Sequence, residues 1–202
     1  MSPILLSAGG NLENQDRGLV LWDGSRATFC VADGAGGRSG GLEAALMAID
    51  FVRQGAASLR GAESCAGLLR GIDQAMAKDP KAGETTCVLA VVTLKEVFGA
   101  SVGDSGAWLI PHAGGHVDLT SRQQRKPFIG SGSAWPIPFQ LSKPEGLLLL
   151  ATDGLLKYTS ADCIVAICRE HRAESASARL VELVRYPSGA LPDDVTVILT
   201  EL

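Results

Sequence analysis

The hydrophobic positions change period along the chain, and each change marks a new kind of element. Ile4 to Leu6, Gly18 to Trp22 and Arg26 to Ala32 are short β-type runs, the last two joined by the hairpin dipeptide Asp23-Gly24. From Ser39 onward the spacing becomes helical. Leu42, Ala45, Leu46, Ile49 and Val52 mark one helix face, and Cys65, Leu68, Leu69, Ile72 and Met76 mark a second, ending near Asp79-Pro80. Thr85 to Thr93, Val97 to Val102 and Ala107 to Ile110 then return to β-branched and aliphatic strands. The stretch from Thr120 to Pro144, rich in Gly, Ser, Pro and basic residues, reads as a long loop. A strand follows at Leu147 to Thr152. Ser160 caps a helix through Cys163, Ile164, Ile167 and Cys168, a further helix covers Ala178 to Val184, and Val195 to Leu199 is a last strand. Strands grouped with strands and helices with helices argue against a strictly alternating parallel sheet. They predict an α+β domain of antiparallel sheets covered by helix pairs.

Three of the apolar strands carry a carboxylate at the mouth. Thr28 to Ala32 runs into Asp33-Gly34, Leu147 to Thr152 runs into Asp153-Gly154, and Asp193-Asp194 directly precedes Val195 to Leu199. Asp-Gly is a good turn former, and one such pair would be read as a turn. A carboxylate at the end of a buried strand is costly unless it is paired or holds a cation, so its recurrence at three distant strand ends points to one shared metal site.

Composition narrows the partners. The 202 residues and the 46% hydrophobic content suit one domain spanning 1–202 with a sizeable core. The net charge of −4, with no concentrated basic patch, argues against a nucleic-acid partner. No apolar stretch is long enough to span a bilayer, and Met1-Ser2-Pro3 carries no basic n-region, so a cytoplasmic protein with no membrane association is expected. Cys30, Cys65, Cys87, Cys163 and Cys168 lack metal-ligand spacing and read as buried, reduced thiols. His112, His116 and His171 sit in turn-like or polar contexts and read as solvated groups without a catalytic part.

A set of short motifs, in order, carries a resemblance. Asn14-Gln15-Asp16-Arg17, Val31-Ala32-Asp33-Gly34-Ala35-Gly36-Gly37, Gly83-Glu84-Thr85-Thr86, Val102-Gly103-Asp104-Ser105, Ala151-Thr152-Asp153-Gly154 and Pro192-Asp193-Asp194-Val195-Thr196 together cover nearly the whole chain. Each alone is weak. In this order they resemble the metal-dependent protein serine/threonine phosphatases of type 2C, the PPM family. The resemblance implies a four-layer α-β-β-α sandwich, two mostly antiparallel sheets flanked by helix pairs, with Mn2+ or Mg2+ at one end of the sheets.

Carried onto this chain, the resemblance implies that Asp33 bridges two cations and that the Gly34 carbonyl binds one of them. Asp153 and Asp193 complete one metal's ligands, Asp16 serves the site directly or through water, and Asp104 helps hold a weaker third cation. The implied reaction is hydrolysis of phosphoserine or phosphothreonine on a protein by attack of a metal-bridging hydroxide, for which oxygen ligands and these ions are suited. The implied catalytic residues are Asp33, Asp153 and Asp193. The implied partners are a phosphorylated protein substrate and an opposing Ser/Thr kinase, with the enzyme a signalling protein acting as a monomer.

Departures from the family pattern open further readings. Gln15 replaces a frequent Glu, removing one charge near the metals, and Ala35 replaces a frequent His. Asn11 stands where many members carry an Arg that grips the phosphate, leaving Arg17 and Arg38 as the nearby substrate-binding candidates. The short 120–144 segment leaves no room for the helical flap of larger members, as in the compact bacterial branch that includes sporulation and stress-response regulators. The alternative is a catalytically weak pseudo-phosphatase that binds a phosphoprotein or partner. The glycine run from Gly34 to Gly41 follows a strand and precedes a helix, but it fits neither nucleotide-loop template. Arg122, Arg125 and Lys126 read either as a solvated loop or as a field steering an acidic phosphopeptide. Trp135 reads as a packing residue, with a docking anchor as the rival.

Overall fold

The structure, a computed structural model, describes residues 2–35 and 40–202. In chain order the elements are β1 (Ile4–Ala8), β2 (Asp16–Trp22), β3 (Ala27–Asp33), α1 (Gly41–Gly55), α2 (Ala62–Met76), β4 (Cys87–Val92), β5 (Glu96–Val102) and β6 (Gly106–Ile110). They continue with β7 (Val117–Asp118), β8 (Ile137–Ser142), β9 (Leu147–Ala151), α3 (Asp153–Leu156), α4 (Ala161–Glu170), α5 (Ala173–Leu183) and β10 (Val195–Glu201). The strands form two five-stranded sheets in the orders β2-β3-β4-β5-β8 and β1-β10-β9-β6-β7, with every pairing antiparallel.

Period-two alternation builds the four layers. Phe29, Val31, Val88 and Ala90 of the first sheet meet Ala107, Leu148, Leu150 and Ile198 of the second in a buried inter-sheet core. The alternate residues, Cys30, Ala32, Leu89 and Val91, face outward onto α1 and α2 through Ala45, Ala48, Leu69 and Ile72. On the far side Leu149, Ala151, Val197 and Leu199 pack on α4 and α5 through Ile164, Cys168 and Leu180. Both faces of the central strands are therefore covered, which explains why β3, β4 and β9 read as unbroken apolar runs. Ser160 caps α4 by accepting the Cys163 N–H at 3.3 Å, as its position in the sequence predicts.

The expected long loop over 120–144 is corrected: Ile137–Ser142 is a strand paired along β5. Pro138 lies opposite Ala100 in that pairing, a place open to proline because β8 is the sheet edge. The helix expected from Ala178 begins at Ala173, and β7 and α3 are additional short elements. Trp135 is 65% exposed and does not pack, while its neighbour Ala134 takes the buried position. Four cysteines are buried and Cys163 is exposed. Among the described residues no helix is long and apolar enough to cross a membrane.

Candidate functional site

The alternation that fills the core also selects the site. Phe29 and Val31 point between the sheets, so two positions later Asp33, the last residue of β3, points the same way. Asp16, the first residue of β2, is its direct cross-strand partner and shares its face. From the second sheet, Leu148 and Leu150 set an inward parity that Thr152 continues. The Thr152 hydroxyl donates to Asp16 Oδ2 at 2.7 Å and accepts from the Thr196 N–H at 2.9 Å. The sheets are thus joined at this end by a polar clasp in place of apolar packing.

Around the clasp the other acidic residues gather. Asp33, Gly34, Asp104, Asp153 and Asp193 all line one cavity of about 360 Å³, whose wall also includes Gln15, Asn11, Arg125 and Lys157. Asp33 is held through its backbone: its N–H donates to Thr86 Oγ1 at 3.0 Å, and its carbonyl accepts from Thr86 N at 2.9 Å and Thr85 Oγ1 at 2.8 Å. Asp153 opens α3 directly after β9. A Cβ on its neighbour Gly154 would collide with the Asp194 carbonyl, and one on Gly34 would collide with the Gly41 carbonyl. Both glycines therefore permit the close backbone approach that brings these carboxylates to one place.

Asp194, singled out in the sequence only as part of a motif, organises the opening segment. Its carboxylate accepts the backbone N–H groups of Gly10 at 2.8 Å, Asn11 at 3.1 Å and Gln15 at 2.8 Å, and it is 4% exposed. Asn11 in turn donates from Nδ2 to Asp193 Oδ1 at 3.0 Å. Asp194→Ala would remove three bonds to one charged acceptor and is expected to cost about 1.5–3 kcal/mol of stability, read as a lowered denaturant midpoint.

Electrostatically the site is overfull of negative charge. Burial pushes the Asp33 carboxyl up to about 9, with further push from Asp16 and Asp153. Burial likewise pushes Asp16 up to about 7, against the hydrogen bonds of Thr152 and Thr196, which favour the charged form. Asp153 is raised by burial and then by Asp104 and Asp193. Asp16 Oδ1 and Gln15 Oε1 are buried with no hydrogen-bond partner among the described residues. Acceptors that lack donors beside carboxylates that resist ionising together fit divalent cations, which supply what both need. A donor set of carboxylate and carbonyl oxygens suits hard cations such as Mg2+, which keep several waters and take few carboxylates each.

The remaining candidates divide by geometry. Arg17, one position after Asp16, takes the opposite face of β2 and is absent from the cavity wall. Its Nη1 donates to the Asn14 carbonyl at 2.9 Å and the Asp16 carbonyl at 2.6 Å, which ties the turn before the strand. Arg38, the other candidate, and residues 36–39 of the glycine run lie outside the described residues. Asp104 reaches the cavity and its Oδ2 accepts from Arg125 Nε at 2.7 Å. Lys157 Nζ lies 3.9 Å from Asp153 Oδ2. None of the histidines lines the cavity: His112 pairs with Glu201 at 3.0 Å and His116 stacks on Trp108. Thr152 and Lys157 are the site residues that sequence reasoning missed. A threonine at an inward position of a leucine strand was the available signal for the first, and the i, i+4 spacing from Asp153 for the second.

Residues 8–185 match the family model described as protein phosphatase 2C. Solved structures share the fold. The catalytic domain of the serine/threonine phosphatase PstP in complex with two manganese ions is 20% identical with a TM-score of 0.83, over 99% of this chain and 97% of that one. Staphylococcus aureus Stp1 is 20% identical with a TM-score of 0.81, over 99% and 94%. RsbX in complex with magnesium is 19% identical with a TM-score of 0.76, over 98% and 92%. No curated protein matches the sequence.

Proposed function

The chain belongs to the protein phosphatase 2C family of metal-dependent serine/threonine phosphatases, and we propose that it is an active member that hydrolyses phosphoserine and phosphothreonine on a protein. One observation carries the reading: Asp33, Asp153 and Asp193 converge on a single cavity, and Asp16 is buried beside them with one oxygen that has no partner among the described residues. The manganese in PstP and the magnesium in RsbX support Mn2+ or Mg2+ as the ions here.

In this reading Asp33, Asp153 and Asp193, with the Gly34 carbonyl, would hold two cations, and Asp16 would serve the site directly or through water. The ions, when bound, supply the Lewis acidity that lowers the pKa of a water and offsets phosphoryl charge. The chain's own residues do the rest. Thr152 fixes the orientation of the Asp16 carboxylate, and the Thr85–Thr86 backbone and hydroxyls fix Asp33. A water oxygen forms the new bond to phosphorus, the ester oxygen leaves with its electron pair, and a water proton returns to it, giving the free hydroxyl and inorganic phosphate. No side chain is needed as a covalent carrier, and none of the histidines stands at the cavity to act as a base.

In the same reading the chain is a signalling enzyme that opposes a Ser/Thr kinase. The pseudo-phosphatase reading is favoured by one observation, that Asn11 occupies the place of a phosphate-binding Arg and is bonded to Asp193.

The purified protein is expected to hydrolyse p-nitrophenyl phosphate and a phosphothreonine peptide with Mn2+ or Mg2+ and to lose both activities in EDTA. A folded protein inactive on both substrates with either ion would leave the binding-only reading in place.

A further inference from the structure

The family resemblance leaves a gap at Asn11, and the structure fills it from another element. The segment after β7 is anchored at three points: Asp118 Oδ1 accepts the Thr120 N–H at 2.8 Å, the Gln123 N–H donates to the Thr120 carbonyl at 2.9 Å, and Gln123 Nε2 donates to the Ser105 carbonyl at 2.6 Å. From this fixed base Arg122 turns away to the Pro138 carbonyl, while Lys126 also lines the cavity and lies over the Phe128 ring, 5.3 Å from its centroid. Arg125 alone of them bonds an acidic residue of the cavity, through Nε to Asp104 at 2.7 Å.

That bond uses one donor of the guanidinium. Among the described residues its two Nη groups have no partner, so four N–H donors remain beside the cavity that also holds Asp33, Asp153 and Asp193. A side cleft of about 370 Å³ between Asp104, Arg125, Asp153 and Lys157 leaves room for an oxyanion there. A guanidinium tethered at Nε is pre-oriented, and a forked donor matches two oxygens of one phosphoryl group.

We infer that Arg125, tethered by Asp104, is the side chain that binds the phosphoryl group of the phosphomonoester, and that it replaces the arginine absent at position 11. The inference rests on the phosphatase reading and changes the expectation for the basic loop: Arg125 acts on every phosphomonoester, small or large, whereas Arg122 lies outside the site.

The test combines hydrolysis of p-nitrophenyl phosphate with calorimetric binding of inorganic phosphate to the manganese-loaded protein, for wild type, Arg125→Ala, Arg125→Lys and Arg122→Ala. Arg125→Ala is expected to weaken phosphate binding and raise KM by about 10–100-fold, with Arg125→Lys intermediate because the fork is lost and the charge kept. Arg122→Ala should match wild type. The melting temperature and manganese affinity should be the same in all four proteins. Unchanged phosphate affinity in Arg125→Ala, a wild type that binds no phosphate, or a loss that tracks weaker manganese binding would each overturn the inference. A wild type that binds phosphate through Arg125 yet hydrolyses nothing would overturn the phosphatase reading and leave the inference standing.

Discussion

Asp33→Asn is expected to lower metal-dependent hydrolysis by about 10³-fold or more while the protein stays folded and, without metal, becomes more stable. Losing a central cation ligand at a site where charge must be offset in the transition state is worth on the order of 4 kcal/mol of barrier. The gain in stability has a different source. Without cations, Asp33 faces Asp16, Asp153 and Asp193 from a half-buried position, and desolvation and these neighbours push its carboxyl up to about 9. At neutral pH this group must therefore take up a proton to fold, a cost that asparagine, neutral in both states, does not carry while keeping the shape. The backbone bonds that fix residue 33, to Thr85 and Thr86, are made by main-chain atoms and survive the substitution. Turnover of p-nitrophenyl phosphate with Mn2+, set beside thermal melts in EDTA, separates the two effects. A variant that retained turnover would remove Asp33 from the metal centre, and one that lost both turnover and its melting transition would show a structural role instead.

The pattern of side chains made this site legible in part. Asp33 and Asp153 stand at the ends of apolar runs, and the structure brings them together because both runs are central strands of facing sheets. What sequence alone hid was parity and distance. Arg17 follows Asp16 directly, so alternation places it on the opposite face of β2, which the register with β3 makes explicit. Arg125 is more than 90 residues from Asp33, and the bond to Asp104 that draws it in depends on the anchoring of Gln123 and Thr120. Asp194 is hidden for a related reason: its partners are backbone N–H groups, which leave no mark in residue type. The layered fold was readable from grouped strands and helices, since two-sided burial leaves continuous apolar runs. β8 escaped because Pro136, Pro138 and the preceding Gly and Ser residues carry a loop-like composition, which an edge strand tolerates. The early start of α5 was masked by Glu174, Ser175 and Ser177, where Ala176 and Ser177 supply the buried face.

The same crowding of carboxylates predicts how stability responds to pH and metal. Without divalent cations the melting temperature should fall as pH rises from 5 to 9. The sign follows from linkage: Asp16 and Asp33 have folded values of about 7 and about 9, above the ordinary aspartate value of 3.8. The folded state therefore binds more protons, and the stability this gives is complete below the unfolded value and is lost as pH climbs through the folded ones. Asp153, raised in the same direction, adds to the slope. Each unit of such a shift corresponds to about 1.4 kcal/mol, so a loss of several kcal/mol across the window is expected. Saturating Mn2+ at pH 8 should reverse it, because the cations bind the carboxylates that the protons leave; a concentration 100-fold above Kd adds about 2.7 kcal/mol per site. Melts at stepped pH in EDTA and in Mn2+ would show two curves that diverge toward alkaline pH and approach one another near pH 5. Curves that run parallel would mean that protons and cations do not compete for the same groups, and that the carboxylates at this end of the sheets are not the metal ligands.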